Sequence, residues 1–534
     1  MLNKILIIAL FISAIEASED ITQKWLDTKP RTIAKDFYIW RYLDQDITSD
    51  EAIKALGQAR YVNNKLFYRY AKKLKHKETS DVVRCKRQSA LKLSSQNANC
   101  IELGLTTYKA TKLSKKNKAK VIKKLKSQYP TTSNIVKVLN SSNPFVSLIN
   151  SSNNVFFKTF NQCGGYFRLN NFNHHLPIEF IKKIRDDKRF EQTIKLIVTT
   201  PKLNKIQESL LGIDTKGFSH KNTFHLAINA IRHNKEKIAL KFLDISSKNA
   251  YFQHDKDKVL FWQYKLTNDN KYLKILQSSW DNNIYSLYGF EAIDQKPKNT
   301  IFNIENKYQS KSNYNYNNPF DWFKIVRDSK KMNDKKMDKY NKLLNSKESL
   351  GHLAFVKERF FRYKKSYFIT PFKDTMKNFS PKRQALIYAI ARQESRFVQT
   401  SISSAYAMGV MQIMPFLSKA IAKERKEIYN IDDQLNPNIN LKYADHHLDF
   451  LEHRMKHPLL IAYAYNGGIG FTRRMLKLGL FKKGKYEPFL SMEMLPYDET
   501  KKYGKKVLAN YFIYKNYLDK ENPIKISALF ESIN

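Results

Sequence analysis

Cysteine, glycine, acidic residues and long apolar runs are all scarce in this chain. Three cysteines, Cys85, Cys100 and Cys163, occur in 534 residues, and none has the spacing of a metal site. Cys85 and Cys100 could close a short loop in an oxidising compartment and leave Cys163 free; three unpaired thiols are the alternative. The longest apolar run, Ile5 to Ile15, falls short of the ~20 residues a bilayer requires. It follows Lys4 and precedes Glu16-Ala17-Ser18, so residues 1–17 read as a secretory signal peptide cut near Ala17. Ile15 stands where a small residue is usual before such a cut. No cysteine follows the run, which excludes lipid attachment at that point. No other stretch is apolar enough to span, so no transmembrane anchor is expected in the mature form.

Asp and Glu total 49 against 94 Lys and Arg, a net charge of +45. Such a field attracts polyanions, nucleic acid, anionic membrane and carboxylate-rich polymers among them. Lys and Asn are abundant throughout while glycine numbers 15, so compositional bias supplies part of the excess. Charge alone therefore selects no partner, and the export signal argues against intracellular nucleic acid. A hydrophobic content of 42% indicates a globular protein. The length predicts three or four domains with ample chain for their cores.

Strand signals are few. From Trp25 to about Tyr340, amphipathic helical segments alternate with short Asn, Ser, Lys and Asp turns, and Asn140 to Asn154 reads as a loop or break. From Phe180 to Ala292 helices recur about every 15 to 20 residues with an ill-kept period, as in an α-solenoid of helical hairpins. Lys296 to Asn318 reads as a linker, followed by a short helical segment from Asn318 to about Thr375. His446, His447, His453 and His457 cluster, but Pro458 and the surrounding lysines suggest a solvated helix face, so no metal is expected.

The densest chemistry lies between Ala385 and Met414. Ser380 is a plausible N-cap and Pro381 sits at the first helical position. Leu386, Ile387, Ala389, Ile390 and Ala391 give a broad apolar face. Glu394, four residues after Ile390 and seven after Ile387, is carried onto that face by a continuing helix. A carboxyl held among aliphatic groups favours its neutral form, which a general acid near neutral pH needs. A lone glutamate there could equally bend out to solvent.

Its company argues otherwise. The stretches ARQES around Glu394, Gly409-Val410-Met411-Gln412-Ile413-Met414-Pro415, Ala464-Tyr465-Asn466-Gly467-Gly468 and Glu493-Met494-Leu495-Pro496-Tyr497 follow in order. Together they resemble the goose-lysozyme-like catalytic domain of the soluble lytic transglycosylases of bacterial cell walls, over about residues 381 to 515. The resemblance implies an all-α protein: an α-superhelical domain over 18–300, a small helical linker domain over 301–375, and a lysozyme-like catalytic domain over 376–534. It implies an exported, periplasmic enzyme of a Gram-negative cell that cleaves peptidoglycan glycan strands without a cofactor or metal, possible partners being other cell-wall enzymes. Residue for residue, Glu394 matches the family's single catalytic glutamate, acid and then base. Ser403 and Gln412 match polar residues that hold the sugar, and Met414 a methionine lining the groove. Tyr465 and Asn466 match the aromatic and amide facing the reacting sugar, and Glu493 a second acid bordering the cleft.

The pattern is not kept everywhere. Tyr406 stands where the family usually has glycine, Gly467 where it has alanine, and Val410 where it has leucine, which puts the shape of the 406 loop in question. Two other functions stay open. A hydrolytic muramidase of the same fold would need another carboxylate near the bond, Asp432 and Asp433 being candidates by proximity in sequence. A non-catalytic helical scaffold would bind wall or nucleic acid through its charge alone.

Overall fold

The computed structural model describes residues 21–74, 76–305 and 312–533, so the signal-peptide reading of residues 1–17 lies outside the described residues. The architecture is all-α. Among the described residues, named strands are limited to one parallel pair, Thr300–Ile301 with Ser366–Tyr367.

The polar turns that punctuate the sequence are helix caps. Thr32, Asn63, Ser152, Ser219 and Asn333 each accept a backbone N–H of the helix they precede, satisfying donors that would otherwise lack partners. The same chemistry corrects the reading of residues 140–154 as a loop. A two-turn helix, Pro144–Ile149, forms there because Asn143 caps it, Pro144 starts it, and Phe145 and Leu148 are buried.

Helical hairpins carry the long N-terminal region. His220–Arg232 packs along Glu236–Asn249, and Gln253–Thr267 turns back through a left-handed Asn268 onto Asn270–Leu276. Each helix buries one stripe, and the stripes merge into a single core running from Cys85 to Phe530. A disulfide joins Cys85 to Cys100, while Cys163 is a buried thiol whose pKa burial pushes up to about 11.

Two smaller cores flank this one. Helices Pro319–Asp328, Asp334–Leu343 and Leu350–Phe360 close around Trp322, Met337, Tyr340, Leu344 and Val356. At the other end of the sequence, Leu26, Ile39, Leu43, Ala52, Ala55 and Leu66 form the core of an arm, residues 21–74. The arm reaches the 319–360 unit through Trp25 and Tyr38, whose rings lie 5.9 and 5.8 Å from that of Phe320. It also reaches the C-terminal unit, where Arg41 pairs with Asp432 at 2.6 Å.

Two long helices frame the C-terminal unit, Pro381–Glu394 and Asp498–Leu518, with Pro458–Gly467 packed beside the latter. Asn510 donates from its amide to the Ala389 carbonyl at 3.1 Å, and Tyr514 donates to the Ile369 carbonyl at 2.9 Å. The crossing with Pro458–Gly467 is close enough to require Gly504, where a Cβ would meet the Tyr463 ring at 2.1 Å. Gly504→Ala is expected to force these helices apart and destabilise the protein by about 1–3 kcal/mol, read as a lower denaturant midpoint.

Candidate active site

The helix that presents Glu394 begins with Ser380 accepting the Arg383 N–H at 3.3 Å, and every residue from Ala385 to Ala391 is buried. Glu394 is its last residue. Beyond it Ser395 donates to the Val410 carbonyl at 2.7 Å, and Arg396 and Phe397 take left-handed φ of 54° and 67°. The chain therefore turns sharply at the carboxyl and returns as the 401–414 loop. Further left-handed residues, Tyr406 and Gln412 at φ of 69° and 49°, mark this loop as a place of stored backbone strain.

Burial pushes the Glu394 carboxyl up to about 7 from an ordinary 4.5, against a hydrogen bond from Tyr503 that favours the ionised form. The Tyr503 hydroxyl donates to Oε1 at 2.7 Å, and the nearby charge of Glu499 adds to the upward push. No cation among the described residues opposes this. The two arginines nearest in sequence, Arg392 and Arg396, are both drawn to Glu358, a 3% exposed glutamate of the Leu350–Phe360 helix.

Tyr465 lies close enough to Glu394 for that charge, after burial, to raise its own pKa well above the usual value, and its hydroxyl donates to the Met411 carbonyl at 2.8 Å. Asn466 accepts from Thr500 Oγ1 at 2.8 Å, one turn before Tyr503 on the same helix. Ser403 and Gln412 hold the intervening loop. Ser403 Oγ accepts the Ala407 N–H at 3.0 Å, and Gln412 Nε2 donates to the carbonyls of Ser401 and Gly409 at 3.0 and 2.8 Å. Met414 precedes the Pro415–Glu424 helix and lines an open pocket of about 700 Å³ shared with the arm. Glu394 lines neither that pocket nor two others of about 760 and 1490 Å³, so its surroundings are defined by these contacts.

Glu493 sits differently from the cleft-bordering acid the sequence suggested. It is 3% exposed, accepts from the Tyr285 hydroxyl at 2.5 Å and pairs with Lys505. Burial opposes its charge, but Lys505, Lys258 and Lys501 outweigh it and hold the carboxyl at about 2. Its role here is to tie the Asp498–Leu518 helix to the Ile284–Glu291 helix of the superhelical region.

Two of the departures, Tyr406 and Gly467, have physical reasons; nothing in the structure explains Val410. Tyr406 is buried, its ring 5.8 Å from Phe37 and 5.4 Å from Trp40, so the side chain is a docking point for the arm. At Gly467 a Cβ would meet Phe471 and Thr500 at 2.9 Å. Asp432 is engaged by Arg41, with Asp433 beside it, and neither is among the charges acting on Glu394. His446 bonds Glu424 and His457 caps the Pro458–Gly467 helix; among the described residues no group of His, Cys, Asp and Glu could hold a metal ion.

Tyr503 and Glu499 were not singled out from sequence. The available signal was the stripe Thr500, Tyr503, Val507, Asn510 and Tyr514, spaced three or four apart and buried along one long helix.

Residues 374–486 match the family model described as Transglycosylase SLT domain. The SLT stretch contains Glu394, Ser403, Gln412, Met414, Tyr465 and Asn466, and ends before Glu493 and Tyr503. The chain is similar to the soluble lytic murein transglycosylase of Escherichia coli, 25% identical over 218 residues that cover 39% of this chain and 32% of that one. Its counterpart in Salmonella typhimurium is 28% identical over 148 residues, 26% of this chain and 22% of that one. A Haemophilus influenzae relative is 34% identical over 137 residues, 25% of this chain and 23% of its own. The aligned stretches thus span less than a third of the curated relatives' lengths. The lytic transglycosylase Slt of Pseudomonas aeruginosa, solved as an inactive mutant, superposes with a TM-score of 0.49 at 15% identity, covering 96% of this chain and 90% of that one. No helix among the described residues is long and apolar enough to cross a membrane.

Because the Tyr503 hydrogen bond favours the charged form, Tyr503→Phe is expected to raise the Glu394 pKa. Any activity that needs the protonated acid falls as pH rises through about 7 in the native protein, and at higher pH in the variant. A pH–rate profile checks this. Glu493→Ala leaves Lys505 buried without a counter-charge and is expected to cost about 3–5 kcal/mol in unfolding free energy.

Proposed function

We propose that this protein is an exported peptidoglycan lytic transglycosylase that cleaves the β-1,4 bond between N-acetylmuramic acid and N-acetylglucosamine. The observation that carries the reading is a half-buried carboxyl with a pKa of about 7, reached by one phenol and by no cation among the described residues. Near that pH Glu394 exists in both the form that gives a proton and the form that takes one.

In this mechanism protonated Glu394 delivers its proton to the glycosidic oxygen as the bond to muramic C1 breaks, releasing the N-acetylglucosamine end with a free hydroxyl. The carboxylate then takes the proton of the same sugar's 6-hydroxyl while O6 bonds to C1, closing the 1,6-anhydro ring. Glu394 ends protonated, and no water is consumed. The Tyr503 phenol stabilises the carboxylate between the two halves. Tyr465 and Asn466 face the reacting sugar and its acetamido group, and Ser403, Gln412 and Met414 shape the groove beside it. The reaction calls for no cofactor. A periplasmic location in a Gram-negative cell is supported by the signal-like residues 1–17, the Cys85–Cys100 disulfide and the resemblance to murein enzymes.

Glu499 is the observation that favours a second reading, a hydrolytic muramidase. It is an exposed carboxylate whose charge acts on Glu394, and a pair of carboxyls is the usual equipment for glycoside hydrolysis.

Mass analysis of the fragments released from purified wall separates the two, because anhydro ends are one water lighter than hydrolysed ends. Glu394→Gln is expected to lower the rate by about 10²–10⁴-fold under either reading. Glu499→Gln is expected to keep anhydro product formation and shift the pH profile slightly downward, since a like charge is removed. Hydrolysed ends, or loss of activity in Glu499→Gln, would favour the muramidase; wall binding with no lysis by the wild type would leave only a binding scaffold, and lysis unaffected by Glu394→Gln would overturn Glu394 as the acid.

A further inference from the structure

The arm, residues 21–74, lies against the 401–414 loop of the C-terminal unit and leaves an open pocket between them. Asn63 donates to the Ser404 carbonyl and Lys65 to the Ala405 carbonyl, both at 2.9 Å, while Tyr406 packs against the stacked rings of Phe37 and Trp40. The pocket, of about 700 Å³, has Trp40 and Tyr406 on one side and Met414, Phe416 and Lys419 on the other. Its wall begins close to the site: Met414 follows by three residues the Met411 carbonyl that holds Tyr465, about 10 Å at full extension.

Two features of this wall lack partners of their own. Phe416 is 72% exposed, unusual for a large apolar ring. Lys419, three residues on and so on the same helix face, makes no hydrogen bond or ion pair among the described residues. The other cations around the pocket are already engaged. Arg41 is held by Asp432, Lys65 by a carbonyl, and Arg69 lies 3.6 Å from the Trp40 ring centre and 3.3 Å from Asp44.

We propose that the pocket between the arm and the Pro415–Glu424 helix is a further glycan subsite, which takes a sugar of the strand beyond the reacting one, Phe416 lying under the ring and Lys419 meeting a carboxylate carried by that sugar or its peptide stem. The inference rests on the functional reading above. A β-1,4-linked pyranose has equatorial substituents and therefore C–H-rich faces that lie flat on an aromatic ring. Muramic acid and its stem supply the carboxylate, and a charge-assisted contact to an unpaired lysine is the stronger kind of hydrogen bond. The pocket thus acts in substrate selection, favouring long, stem-bearing strands over short bare ones.

The test compares full-length wild type, Phe416→Ala and Lys419→Glu on polymeric glycan with intact stems and on a stem-free tetrasaccharide of the same repeat. Both side chains are exposed, so the variants are expected to keep the wild-type thermal midpoint. The ratio of kcat/KM for polymer over tetrasaccharide is expected to fall about fivefold or more in each variant, mainly through KM, the size one stacked ring or one charged contact supplies. A smaller fall in both overturns the subsite. A fall in Phe416→Ala alone overturns the carboxylate contact and keeps the sugar platform; a fall in Lys419→Glu alone does the reverse. Wild type inert on both substrates rejects the transglycosylase reading itself and the subsite with it.

Discussion

A glutamate with a pKa near 7 depends on what is kept away from it as much as on what surrounds it. Glu394 ends a helix flanked in sequence by two arginines, and either guanidinium turned toward it would pull the carboxyl back into the ordinary acid range. Glu358 prevents this by binding both, from a helix that belongs to a different core. A nearly buried glutamate sharing two arginines is costly to desolvate and is unlike a surface ion pair, whose contribution is small. The 319–360 unit is thus more than a spacer, because it supplies the charge that leaves Glu394 without a counter-ion.

The same division of labour appears at Glu493. Two acids, one half-buried and one fully buried, end on opposite sides of the ordinary carboxyl range, Glu394 at about 7 and Glu493 at about 2. Burial pushes both upward; the lysines around Glu493 reverse the outcome there, and nothing among the described residues does so around Glu394. One acid is left able to exchange protons, and the other fastens the helix that carries Tyr503.

Much of this was legible in the sequence, and the limits follow from range. The Glu394 helix, its Ser380 cap and its apolar face are local, set by spacing within fourteen residues, and the structure has them where the pattern places them. The helical hairpins and the all-α class follow from the same local periodicity. What could not be read is non-local. Tyr503 meets Glu394 across 109 residues, and Glu493 finds Tyr285 across 208, so neither partner is marked by any nearby pattern. Tyr406 looked like an irregularity in a motif because its reason, the Phe37 and Trp40 rings, lies at the far end of the chain. The Pro144–Ile149 helix was hidden by composition, since the Asn and Ser that suggest a loop are also the residues that cap short helices.

Arg41 and Asp432 are separated by 391 positions, so the arm packs against a segment made much later in synthesis. During synthesis from the N-terminus the arm can assemble its small core, but the faces of Phe37 and Trp40 that meet Tyr406 stay uncovered until the C-terminal unit exists. Closing so long a loop carries an entropic cost that grows only slowly with length, so the delay is kinetic more than energetic. Completion of the chain is therefore what covers those aromatic rings, and a truncated copy would be left displaying them.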